Sequence, residues 1–114
     1  MVNVGVDTGL NGAMCIEKDG EYRFERIPVK RLNGKTLVDA GMFMKIFEKE
    51  KEITFCLEKI DGGFGLGSHA TFFQQGKGYG AIEALCSILG TVVYITPIKW
   101  KKHFKITEKK QAVS

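Results

Sequence analysis

The sequence predicts one α/β domain built on a five-stranded mixed sheet with flanking helices. Three observations carry that expectation: alternating strands joined by tight glycine turns open the chain, two later strand-like runs each follow a helix-length segment, and 114 residues is the size of one core. With 44% hydrophobic residues there is enough apolar surface to bury a core, and 26% charge with two Pro argues against disorder. The first residues carry no leader pattern, and no apolar run approaches the roughly 18 residues that span a bilayer. The expected location is cytoplasmic, with no membrane partner.

The elements follow in order. Val2 to Asp7 alternates and is rich in Val, Ala13 to Glu17 is apolar, and Tyr22 to Ile27 alternates apolar with charged residues. These are three strands. Asp19-Gly20 between the second and third is a hairpin signal, because its turn needs positive φ, so the first three strands form an antiparallel meander. Pro28 ends the third, and Val29 to Lys35, with Asn33-Gly34, reads as a polar loop. From Thr36, read as an N-cap, Leu37, Ala40, Met44, Ile46 and Phe47 recur near helical spacing up to a charged end at Lys45 to Glu52.

Ile53 to Leu57 is a short continuous apolar run, the pattern of a strand buried on both faces, and Glu58 closes it. Lys59 to His69 holds four glycines and reads as a loop. Thr71 to Leu89 is the longest apolar stretch and reads as a helix ending at Gly90. Gly76, Gly80 and Ala84 recur along it, a small-residue stripe that fits either close packing on the sheet or a dimer seam. Thr91 to Thr96 is another strand, Pro97 starts a short helix, and Glu108 to Ser114 begins a last amphipathic piece. The order is β-β-β-α-β-α-β-α, with the later strands parallel and joined by crossover helices.

Chemistry-bearing residues cluster at strand ends. Asp7 runs off an apolar strand into a glycine turn and Glu58 ends a second apolar strand, so both carboxylates sit on rigid elements and are candidates to share a metal ion. Cys15, Cys56 and Cys86 lie inside apolar segments with no CxxC pair, and neither His69 nor His103 has zinc-site spacing to them, so inert thiols are expected. The net charge is +4, but residues 97–114 carry six Lys against one Glu, so the first 96 net to −1. Lys99, Lys101, Lys102, Lys105, Lys109 and Lys110, interleaved with Trp100, His103 and Phe104, read either as a phosphate-binding run or as a solvated helix face.

Five blocks in order resemble the RuvC-type Holliday junction resolvases, in particular their phage-encoded branch. They are Gly5-Val6-Asp7-Thr8-Gly9-Leu10-Asn11-Gly12-Ala13, Leu57-Glu58-Lys59, Phe73-Gln74-Gln75-Gly76-Lys77-Gly78-Tyr79-Gly80, Ile95-Thr96-Pro97-Ile98-Lys99-Trp100-Lys101 and Glu108-Lys109-Lys110-Gln111-Ala112-Val113. The resemblance implies a ribonuclease H-like fold and a dimeric endonuclease that cuts four-way DNA junctions with Mg²⁺ or Mn²⁺. It implies metal-binding, catalytic roles for Asp7 and Glu58, and DNA contacts from Phe64, Ser68 and the lysines at 99, 101, 102, 105, 109 and 110. The homodimer would form through the helix Thr71 to Leu89.

Each residue also has a plain structural reading: Asp7-Thr8-Gly9 as a hairpin turn, Glu58 as the partner of Lys59, Phe64 as a core plug and Trp100 as a core anchor. The family places two further acidic or histidine ligands on a final helix, and Asp61, Glu83 and Glu108 do not occupy that position. Residues 1–114 are therefore expected to be a single, C-terminally truncated domain of this type, either a shortened resolvase or a natural short form that binds branched DNA without efficient cutting. A third reading takes Asp7 to Gly12 as the first phosphate loop of an actin-like ATPase, which requires a second similar half; the sequence has no internal repeat.

Overall fold

A computed structural model describes residues 1–8, 12–59 and 69–95, with side chains excepted at 69–75. The elements are β1 (Val2–Asp7), β2 (Ala13–Lys18), β3 (Glu21–Arg26), β4 (Val29–Leu32), β5 (Lys35–Val38), α1 (Ala40–Ile46), β6 (Ile53–Glu58), α2 (His69–Leu89) and β7 (Thr91–Ile95). A five-stranded mixed sheet runs in the order β3-β2-β1-β6-β7, and β4 and β5 pair separately. The meander is antiparallel, whereas β6 lies parallel to both β1 and β7. The α/β class, the five-stranded mixed sheet and its strand directions agree with the sequence expectation.

Turn chemistry fixes the meander. Asp19 and Gly20 both take positive φ, 53° and 82°, which matches the twist of the flanking strands and sets Lys18 opposite Glu21. All later pairs follow from that one: Cys15 faces Phe24 and Ala13 faces Arg26.

Both helices cover one face of the sheet. Val2, Val4, Val6, Met14, Ile16, Ile53, Phe55 and Leu57 point into that layer and meet Phe43 and Phe47 of the α1 region and Ile82, Leu85 and Cys86 of α2. Phe55 is wholly buried against the Phe43 ring at 6.5 Å and the Phe47 ring at 5.2 Å, the latter edge-on. Such aromatic pairs add about 0.5–1.5 kcal/mol beyond the area they bury. The opposite face carries Asn3, Gly5 and Asp7 beside Thr54, Cys56 and Glu58, and is less covered. There the Asn3 amide donates to Glu17 Oε1 at 3.1 Å, and Phe24 and Tyr22 stand exposed.

Four expectations need correction. Val29 to Lys35 is not a loop: Asn33 and Gly34 take φ of 52° and 76°, closing a β4–β5 hairpin in which Arg31 faces Thr36. Thr36 is consequently a strand residue, its hydroxyl accepting from Arg31 Nη1 at 3.2 Å, and the N-cap of α1 is Asp39, whose carboxylate accepts from the Met42 amide at 3.1 Å. The buried stripe of that helix region is Phe43 and Phe47, while Met44 is exposed, because those two rings reach Phe55. Lastly, β6 is buried on one face only, its burial alternating from Ile53 to Glu58. The helix expected from Pro97 and the final amphipathic piece lie outside the described residues.

The long helix runs from His69 to Leu89 and ends where the Gly90 amide donates to the Cys86 carbonyl at 2.9 Å. Gly90 has a packing role: a Cβ there would overlap the backbone carbonyl of Ile53, so the absence of a side chain lets the helix end meet the start of β6. Gly80 and Ala84 are exposed, and a Cβ at Gly80 would meet nothing, so these members of the small-residue stripe face away from the sheet. No described helix is long and apolar enough to cross a membrane.

Candidate functional site

The parallel pairing of β1 and β6 brings the two predicted carboxylates together. Val6 lies opposite Leu57, and Asp7 and Glu58 are the next residues, the last of their strands. Residues in register on parallel strands share a face, and neighbouring strands are about 4.8 Å apart. Val6 and Leu57 point into the core, so Asp7 and Glu58 stand side by side on the opposite face, Asp7 exposed and Glu58 half-buried.

The row continues to both sides. Asp7 pairs with Ala13 and Ala13 with Arg26, while Glu58 pairs with Ile95. Arg26 therefore lies in the same row and on the same face as the carboxylates, two strands from Asp7, with an exposed side chain. Register alone brings Arg26 here, since its residue type and local sequence do not mark it. The signal was available in Asp19-Gly20, because that turn sets the register which carries Arg26 to this row.

The strand end bearing Glu58 is held from two directions. The Lys59 amide donates to the Ile95 carbonyl at 2.7 Å, and the Tyr79 hydroxyl donates to the Glu58 carbonyl at 3.0 Å. Burial, followed by the nearby charges of Glu83 and Glu58, pushes the Tyr79 phenol above its ordinary value, so it stays a neutral donor. One turn further along α2, Glu83 Oε2 accepts from the Tyr94 hydroxyl at 2.5 Å, and that hydrogen bond is the main reason the Tyr94 phenol is pushed up to about 12. Tyr79 marks where α2 passes the end of β6. The ten residues before it, from His69, extend roughly 15 Å at helical rise, carrying the helix beyond the carboxylate end of the sheet.

Two adjacent carboxylates on one face suit a hydrated divalent cation of the Mg²⁺ type, which keeps several waters and takes one or two carboxylates plus substrate phosphate oxygens. Among the described residues, no group of three or more His, Cys, Asp or Glu comes together to hold a metal. The cysteines do not offer a rival chemistry. Burial raises the thiols of Cys15, Cys56 and Cys86, that of Cys86 to about 12, so none is a ready thiolate at neutral pH.

Of the other expected site residues, Phe64, Ser68, Lys99, Lys101, Lys102, Lys105, Lys109 and Lys110 lie outside the described residues. What the fold defines here is an α/β protein with paired carboxylates at the ends of its central parallel strands. Set against known proteins, the sequence matches no protein family and no curated protein.

Proposed function

We propose that this chain is a metal-dependent nuclease of the ribonuclease H-like fold, related to the RuvC-type resolvases and acting on four-way DNA junctions. The observation that carries the reading is the side-by-side placement of Asp7 and Glu58 at the ends of adjacent parallel strands, on the face away from the helices. Strand order and the five sequence blocks support it further. Asp7 and Glu58 would hold the cation through hard carboxylate oxygens, their spacing fixed by a sheet rather than by a loop. A bound Mg²⁺ would supply an activated water and neutralise charge at the phosphate. Tyr79 and the Lys59 amide keep the Glu58 backbone in place. A homodimer would form through α2, where Gly80 and Ala84 leave a shallow exposed strip.

A second reading, junction binding without cutting, is favoured by the count of carboxylates among the described residues, where Asp7 and Glu58 form a pair and no third ligand joins them, since two hold a hydrated cation weakly. One assay separates the two: labelled synthetic four-way junctions and linear duplex incubated with the protein in EDTA, Mg²⁺ or Mn²⁺. Metal-dependent cutting of the junction, lost in Asp7→Asn and in Glu58→Gln, is the expected result for the nuclease. Retarded but intact junctions would move the conclusion to the binding module, and neither binding nor cutting would remove both.

A further inference from the structure

The β4–β5 hairpin stands out by its charge. Residues 26–38 hold Arg26, Lys30, Arg31 and Lys35 and no acid, whereas the rest of residues 1–96 carries seven basic and twelve acidic side chains. All four cations are exposed. The register groups them: Lys30 faces Leu37 and Leu32 faces Lys35, so Lys30, Leu32 and Lys35 share one side of the ribbon, with Leu32 itself exposed. Arg31 lies on the other side and is used internally, donating to Thr36 Oγ1 and, at 2.8 Å, to the Gly34 carbonyl. Those bonds stiffen the turn and leave the two lysines as the outward charges.

The position of the ribbon gives the charge a purpose. It departs from the end of β3, directly after Arg26, and its base is closed by the Asp39 amide donating to the Pro28 carbonyl at 2.8 Å. Arg26 lies in the row of Asp7 and Glu58, so the ribbon springs from the same end of the sheet as the carboxylates. β5 also touches α2, the helix that overhangs that end.

We infer that the β4–β5 ribbon, with Arg26 at its root, grips the phosphate backbone of a nucleic-acid arm leading away from the carboxylates. For its choice of partner the inference rests on the nuclease reading above. Lysines on a ribbon act as point charges against phosphates and displace condensed counterions, a sequence-independent and salt-sensitive contact. A two-stranded ribbon is also of a size that a DNA groove admits. The Leu32 side chain between the lysines packs against sugar edges.

The test is fluorescence anisotropy with a labelled four-way junction and a labelled duplex, in EDTA, across a range of KCl. Wild type is compared with Lys30→Gln/Lys35→Gln, with Arg26→Gln, and with Lys45→Gln/Lys49→Gln as a charge-matched control from the α1 side. Each lost phosphate contact lowers the slope of log K against log salt by roughly 0.9. The ribbon double variant should therefore lose about two in slope and tenfold or more in affinity near 0.1 M salt, Arg26→Gln about one in slope, and the control nothing. Matching melting curves show that the variants fold.

If wild type binds DNA and the double variant binds it with the same affinity and slope, the ribbon assignment falls while the nuclease reading stands. Sedimentation with anionic phospholipid vesicles is run on the same proteins, and if the double variant loses binding only to those vesicles, the surface belongs to a membrane and the inference is overturned. Ribbon-dependent DNA binding without metal-dependent cutting upholds the ribbon and removes the nuclease, and a wild type that binds no DNA removes both.

Discussion

Glu58→Gln should make the metal-free protein more stable and at the same time remove its response to divalent cations. Two like charges directly opposite on neighbouring strands repel. At about 5 Å in water the repulsion is about 0.8 kcal/mol, and screening at physiological ionic strength reduces it to roughly 0.4 kcal/mol. Glutamine keeps the shape of Glu58 and ends the repulsion with Asp7, so in EDTA the variant should melt about 2 °C higher, more at low salt and less at high salt. Adding Mg²⁺ reverses the ranking. A cation that binds only the folded state at ten times its dissociation constant stabilises by about 1.4 kcal/mol, which wild type gains and the variant does not. Thermal unfolding followed by circular dichroism, with EDTA or Mg²⁺ at two KCl concentrations, reads all four states. The reasoning is refuted if Glu58→Gln lowers the metal-free melting temperature and Mg²⁺ raises wild type and variant equally.

Gly90→Ala places a methyl group against the Ile53 backbone carbonyl, which has no freedom to move aside, and should destabilise by about 1–3 kcal/mol; urea unfolding that matches wild type would contradict the packing of α2 on β6. Alkaline pH should weaken the fold through Cys86. Its folded thiol is pushed up to about 12 from an ordinary 9.0, so the folded state retains a proton that the unfolded chain has released. That contribution is complete below pH 9.0 and is lost as pH rises towards 12, at up to about 1.4 kcal/mol per pH unit. Tyr94 acts in the same direction above its ordinary 10.0. Denaturant midpoints between pH 8 and 10 measure the slope, which Cys86→Ala should flatten; an unchanged slope would show that the thiol does not titrate as its burial implies.

Much of the frame was legible because its signals are local. Asp19-Gly20 announces its own turn, Val2 to Asp7 alternates cleanly, and the run from Ile53 ends, like the first strand, on a carboxylate. The β4–β5 hairpin was missed although Asn33-Gly34 lies between Val29-Lys30-Arg31-Leu32 and Lys35-Thr36-Leu37-Val38. Four-residue strands give too few alternations to outweigh polar composition, and Thr36 competes with Asp39 as a cap of the same chemical kind. Tertiary contact decided that competition, since a helix starting after Asp39 delivers Phe43 and Phe47 to Phe55. Arg26 shows a different gap: its residue type says nothing, and only the register across three strands places it beside the carboxylates.

The pairing of β1 with β6 joins the beginning of the chain to its middle, with two hairpins and a helix between them. Hairpins close fast because their ends are already near each other, whereas a parallel pairing at long sequence separation must wait for a large loop to be ordered. Asp7 and Glu58 thus become neighbours only at that late step. A chain in which β1 and β6 have not paired does not bring them together, so the carboxylate pair is a marker of completed topology.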